Sequence, residues 1–198
     1  AEGSVSIAAQ DMSANMWTGS AELILPAGID NNFFVFETTL KMGDFEDGWT
    51  TGGTQQRYAI QLTEQNTGFY FWSWTADGVS KTFVRRFAVN NLNNAMAENI
   101  AVNGDEAANG YMTDALRSDS GLPIRILRLD GEFVLLVMKE GAWNEVGRME
   151  VDPDSPAKIV FYGVEASYTW SGFGISGLEF VPESEATAAE PGNYAYYT

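Results

Sequence analysis

Two β-rich runs flank Asp130-Gly131 in "LPIRILRLDGEFVLLVMKE", residues 122–140. Two residues of this type between such runs close a hairpin, because Asp and Gly both accept the positive φ that a tight two-residue turn asks for. The same pattern recurs along the chain. "SVSIAA", "AELIL" and "FFVFETTLKM" come first, then "RYAIQLTEQ", "GFYFWSW" and "KTFVRRFAV" as one meander with Asp77-Gly78 at a turn. A second meander holds "LPIRILRL", "EFVLLVMKE", "NEVGRMEV" and "AKIVFYGV", and "GFGISGLEFV" reads as the closing strand. Roughly a dozen short strands separated by turn signals predict an all-β chain, folded as a two-sheet sandwich or a barrel. At 198 residues the chain suits one such domain.

Two segments depart from the pattern. Residues 90–121, rich in Asn, Gly and Ala, read as an insertion between the meanders, with a helical turn or more expected in "YMTDALRSD". Residues 182–198, acidic and interrupted by Pro182 and Pro191, read as a tail or linker that follows a domain spanning 1–181. No run of 18 apolar residues is present, so no membrane insertion is expected. The first ten residues lack the basic and apolar regions of a signal peptide.

Charge and two absent residue types narrow the chemistry. The formal net charge is -16, from 11 basic and 27 acidic residues. That balance points away from nucleic acid, anionic membranes and polyanionic substrates, and is compatible with neutral ligands and cations. The chain has neither histidine nor cysteine. It therefore builds no Ser-His-Asp triad, no Cys-His pair and no thiolate or imidazole metal site.

The densest aromatic run is "GFYFWSWTADG", residues 68–78. On a strand, Phe69, Phe71 and Ser73 share one face and Tyr70, Trp72 and Trp74 the other. The second set forms a flat stripe suited to the apolar faces of sugar rings, provided that the first set is the one entering the core. The alternative is that Tyr70, Trp72 and Trp74 lie inside the sandwich. Trp49, Trp143 and Trp170 fall in expected loops and are read as further ring-stacking candidates or as lids over the core.

In "MGDFEDGWTTGGTQQR", Asp44, Glu46 and Asp47 crowd beside glycines, a donor set suited to Ca²⁺, although the spacing departs from the D-x-D-x-D-G loop. The bland reading is a solvated acidic loop. Gln55, Gln56 and Arg57 add planar groups able to bond hydroxyls in pairs. Asn90, Asn91, Asn93 and Asn94 offer donor and acceptor alike, though Asn also favours turns. Arg85 and Arg86 point to opposite faces if their strand is regular.

Three pieces of the chain resemble the concanavalin A-like lectin/glucanase superfamily, which includes laminin G-like and carbohydrate-binding modules. "NNFFVFETTLKMGDF" resembles its early strand, "LPIRILRLDGEFVLLVMKEGAWNEVGRM" its central hairpin, and "GFGISGLEF" its terminal strand returning beside the first. The resemblance implies a jelly-roll sandwich of two antiparallel sheets. It also implies glycan binding on a concave outer face or its bordering loops, often beside calcium. Catalytic members carry E-x-D-x-x-E. Here "MEVDPDS" supplies Glu150 and Asp152, but Ser155 stands where the second glutamate belongs. Asp154 is one position early, and Pro153 and Pro156 favour a turn. Retaining hydrolysis needs a carboxyl pair about 5 Å apart, so no enzyme is expected. The sequence thus reads as a non-catalytic, lectin-like glycan- or polysaccharide-binding module of an extracellular or cell-surface protein. The alternative is a structural or adhesive module that contacts another protein or another domain of its own chain. A carboxylate-dependent glycosidase ranks third.

Overall fold

The computed structural model describes residues 4–7, 18–42, 54–64, 67–76, 79–88, 98–99, 106–164 and 168–178. In chain order, the described residues form β1 (Ser4–Ile7), β2 (Thr18–Leu23), β3 (Phe33–Met42), β4 (Thr54–Thr63), β5 (Thr67–Ala76), β6 (Val79–Ala88) and β7 (Glu98–Asn99). Then follow α1 (Glu106–Arg117), β8 (Leu122–Leu129), β9 (Glu132–Lys139), β10 (Ala142–Glu150), β11 (Ala157–Val164) and β12 (Tyr168–Gly177). The first sheet runs β1-β12-β3-β8-β9-β10 and the second β2-β11-β4-β5-β6-β7. Neighbouring strands are antiparallel throughout. This is the two-sheet sandwich that the strand pattern predicts.

Alternation assigns the core. On β3, Phe34, Phe36, Thr38, Leu40 and Met42 are buried, while Glu37, Thr39 and Lys41 on the other face are partly exposed. Phe34, Phe36, Leu40 and Met42 share one cluster with Ile60, Phe69, Phe71, Val84, Ile159 and Phe161 of the second sheet. Aromatic rings bridge the two layers: Phe36 and Phe161 lie 6.2 Å apart, Phe161 and Trp170 5.1 Å, and Phe71 meets Trp170 edge-on at 6.4 Å. Such tilted and edge contacts suit the ring quadrupole.

The Asp130-Gly131 hairpin forms as expected, with Leu129 opposite Glu132 and Asp130 at a φ of 50°. A second two-residue turn, Glu140-Gly141, joins β9 to β10 with φ of 53° and 82°. Both values are positive, as a type I′ turn requires. Between β4 and β5 the backbones approach so closely that a Cβ at Gly68 would sit 2.0 Å from the Ile60 carbonyl oxygen. Only glycine fits there.

The second half of the insertion forms a helix where a helical turn was expected. Helix α1 packs against β6 of one sheet and against β3 and β8 of the other, closing one side of the sandwich. Met112 and Leu116 are buried in the common core. The Tyr111 hydroxyl donates to the Met138 carbonyl, and burial followed by the nearby Glu140 carboxylate raises its pKa. Beneath the helix runs a buried hydroxyl chain: Ser73 Oγ to Thr82 Oγ1 at 2.8 Å, and Thr82 Oγ1 to Thr113 Oγ1 at 2.7 Å. It fastens β5, β6 and α1 together.

One cation is wholly buried. Arg128, on the inner face of β8, packs its guanidinium 4.7 Å from the Phe133 ring. Its Nη2 donates to the carbonyls of Asp152 (3.1 Å) and Pro153 (3.4 Å) and to Asn32 Oδ1 (3.3 Å), tying two turns to the sandwich end. Nε and Nη1 have no hydrogen-bond partner. Burial lowers the Arg128 pKa, against the opposing pull of Asp130 and Asp152.

Candidate functional site

Strand β5 resolves which of its faces enters the core. Phe69, Phe71 and Ser73 are buried between the sheets. The strand is regular along its pairing with β6 from Thr67 to Ala76, so backbone alternation assigns positions 70, 72 and 74 to the outer face of the second sheet. The side chains at these three positions lie outside the described residues. Their backbone positions stand in one line, roughly 6.5–7 Å apart.

Register then supplies the neighbours of that line. Tyr70 lies opposite Ala59 on β4 and Arg85 on β6; Trp72 opposite Arg57 and Phe83; Trp74 opposite Gln55 and Lys81. Arg85 in turn faces Asn99 on β7. Directly paired positions have Cβ atoms about 4.5–5.5 Å apart, so each aromatic position has a cationic position beside it. Register thus sets Arg57 on the aromatic face. Gln56 does not: it pairs with Ser73 on the inward register, and Gln55 takes the outer place. Arg85 and Arg86 do fall on opposite faces, with Arg86 across from Phe69 and Glu98. Sequence reasoning passed over Lys81, yet the signal was present. Ala76 pairs with Val79, as the turn expected between them would have it, and counting back sets Lys81 beside Trp74.

Two tryptophans expected in loops are on strands. Trp170 belongs to β12, paired with Leu40 and Val5, and is fully buried against Phe161 and Phe71. This corrects its reading as a ligand-stacking residue: its rings already contact the core. Trp143 belongs to β10, on the outer face of the first sheet, opposite Met138. It is partly buried, and the Arg125 guanidinium lies 4.2 Å from its ring centre. Arg125 also pairs with Glu37. Alongside, Arg148 bonds both Glu145 (3.0 Å) and Glu132 (2.5 Å), and those carboxylates raise its pKa, Glu145 first. The same outer face carries a small apolar cluster of Val35, Leu127, Val134 and Leu136, with Leu129, Trp143 and Leu178 against it.

Trp49 and the acidic loop of Asp44, Glu46 and Asp47 lie outside the described residues. Among the described residues no group of three or more acidic side chains is arranged to hold a metal ion. Residues 151–156 form a turn in which Asp152 Oδ1 accepts from the Asp154 amide at 3.0 Å and Ser155 is buried. The incomplete E-x-D-x-x-E pattern therefore leaves its strand after Glu150. No helix among the described residues is long and apolar enough to cross a membrane.

No family model and no curated protein matches the sequence. Solved structures do resemble the fold. The legume lectin-like domain from Entamoeba histolytica aligns over 82% of this chain and 78% of its own, at 12% identity and a TM-score of 0.50. The CBM2 module of the evolved Dit of Lactobacillus casei BL23 phage J-1 aligns over 78% and 66%, at 11% identity and a TM-score of 0.45. The alginate lyase from Klebsiella pneumoniae aligns over 73% and 60%, at 13% identity and a TM-score of 0.41. The chain is a two-sheet antiparallel β-sandwich with one short helix, a fold it shares with that lectin-like domain.

Proposed function

We propose that this chain is a non-catalytic carbohydrate-binding module, carried by an extracellular or cell-surface protein, that reads a glycan on the outer face of its second sheet. One observation carries the proposal. Burial of Phe69, Phe71 and Ser73 leaves the line of Tyr70, Trp72 and Trp74 on the outer side of a paired, regular strand. Planar rings at strand spacing offer sugar C–H faces a stacking surface, and the amides and guanidinium of Gln55, Arg57 and Asn99 flank it with hydrogen-bonding groups. A likeness to a lectin-like domain supports the fold side of this reading.

The test is a glycan array probed with the whole chain and its Trp72→Ala variant, each run with calcium and with EDTA. Wild type is expected to bind a subset of glycans, and the variant to lose that binding at an unchanged melting temperature. A melting temperature lowered by several degrees would instead make Trp72 a structural ring. Binding abolished by EDTA would tie the Asp44, Glu46 and Asp47 loop to calcium. The second reading is contact with another protein. A blank array from folded protein favours it.

A further inference from the structure

Charge is distributed unevenly over this molecule. Net charge is -16, yet the six strands of the second sheet carry five basic residues, Arg57, Lys81, Arg85, Arg86 and Lys158, and two acidic ones, Glu22 and Glu98. Each acid stands beside a basic position of the same sheet. Lys158 Nζ stands 3.8 Å from Glu22, and Glu98 is registered with Arg86. The remaining three cations, Arg57, Lys81 and Arg85, each occupy the position directly beside Trp72, Trp74 or Tyr70. Among the described strand pairings no acidic position is registered opposite any of these three; an aromatic neighbour offers a cation its π-face.

We infer that the aromatic face binds an acidic glycan, one whose sugars carry carboxylate or sulfate groups. This rests on the glycan reading above and specifies its ligand class. Stacking engages the sugar rings, and the neighbouring cations engage the anionic substituents, with the Arg fork matching a carboxylate in two parallel bonds. The overall negative charge opposes this only at a distance. At physiological salt the field of remote carboxylates is screened beyond about 8 Å, so the groups in contact decide. A nucleic acid presents rings and anions too, but its denser charge meets more of the acidic remainder of the protein.

The experiment measures affinity of the whole chain for polygalacturonate, its methyl ester, chondroitin sulfate, neutral β-glucan and an oligo-dT strand. Polygalacturonate or chondroitin sulfate is expected to bind, and to weaken tenfold or more as salt rises from about 50 to 500 mM. The methyl ester has the same backbone without charge and is expected to bind far more weakly. R57Q/K81Q/R85Q is expected to lose about a hundredfold, since charged hydrogen bonds are removed. R57K/R85K, which keeps the charge but not the fork, is expected to lose less than the triple variant and to stay salt-dependent, and the melting temperature of each variant is read to control for folding. Equal binding of neutral glycans, indifferent to salt and to the triple variant, overturns this inference and leaves the glycan reading in place. Folded protein that binds no glycan of either kind overturns both. Oligo-dT bound in preference to every acidic glycan overturns it in favour of nucleic acid.

Discussion

Replacing Arg128 with methionine is expected to stabilise the protein. The guanidinium is inaccessible to solvent, with Nε and Nη1 lacking partners. Each buried orphan donor costs about 1–3 kcal/mol, so two cost about 2–6 kcal/mol. Against this stand the three Nη2 contacts of 3.1–3.4 Å. A charged donor at ordinary length contributes about 1.5–3 kcal/mol; only the 3.1 Å contact is that short, and the two longer ones add less. Two of the three acceptors are carbonyls of the exposed residues Asp152 and Pro153, where water can replace the donor. Methionine keeps the contact with Phe133, and sulfur suits a ring edge. The expected net gain is about 1–2 kcal/mol, a rise of about 2–8 °C in melting temperature for a chain of this size. Differential scanning calorimetry, with urea melts read for an unchanged m-value, measures it. A melting temperature lowered by more than a few degrees would refute the reasoning and show that the two N–H groups are satisfied in solution. Asn32→Ala, which deprives Nη2 of an acceptor, should move the other way.

Trp170→Ala removes a buried indole packed on Phe161 and Phe71 and is expected to cost about 3–5 kcal/mol, read as a fall in the urea midpoint. Its direct effect on glycan affinity, measured on the folded fraction, should be small. Thr82→Val keeps volume but breaks the middle link of the Ser73–Thr82–Thr113 chain, at an expected cost of about 1–3 kcal/mol in the same assay. No loss would show that the two outer hydroxyls find other partners.

The strand alternation was readable where side chains differ strongly in polarity or where a turn pins the register. The hairpin at Asp130-Gly131 and the division of β5 into Phe69, Phe71, Ser73 and its opposite set follow from period two and turn chemistry alone. The tryptophans at 143 and 170 misled because each neighbours glycine and small polar residues. Gly141 serves a two-residue turn, and Gly172 lies at the register shift between Ser171 and Gly174, so strand continues on either side. The helical turn expected in "YMTDALRSD" is the second half of α1; the first half went unread because it holds Asn109 and Gly110, poor helix formers. Tertiary burial of Met112 and Leu116 stabilises the helix in place of local propensity. Composition also concealed the cations around the aromatic line. A net charge averages over all faces, whereas Arg57, Lys81 and Arg85 become neighbours only once pairing is known.

The hydroxyl chain from Ser73 through Thr82 to Thr113 has a consequence for molecular recognition. Ser73 sits between Trp72 and Trp74 in sequence, so the underside of that strand is bolted to two other elements. Such an anvil does not reshape itself around a visitor. Under the proposed function it would select guests that already match its contour and sacrifice little freedom on contact.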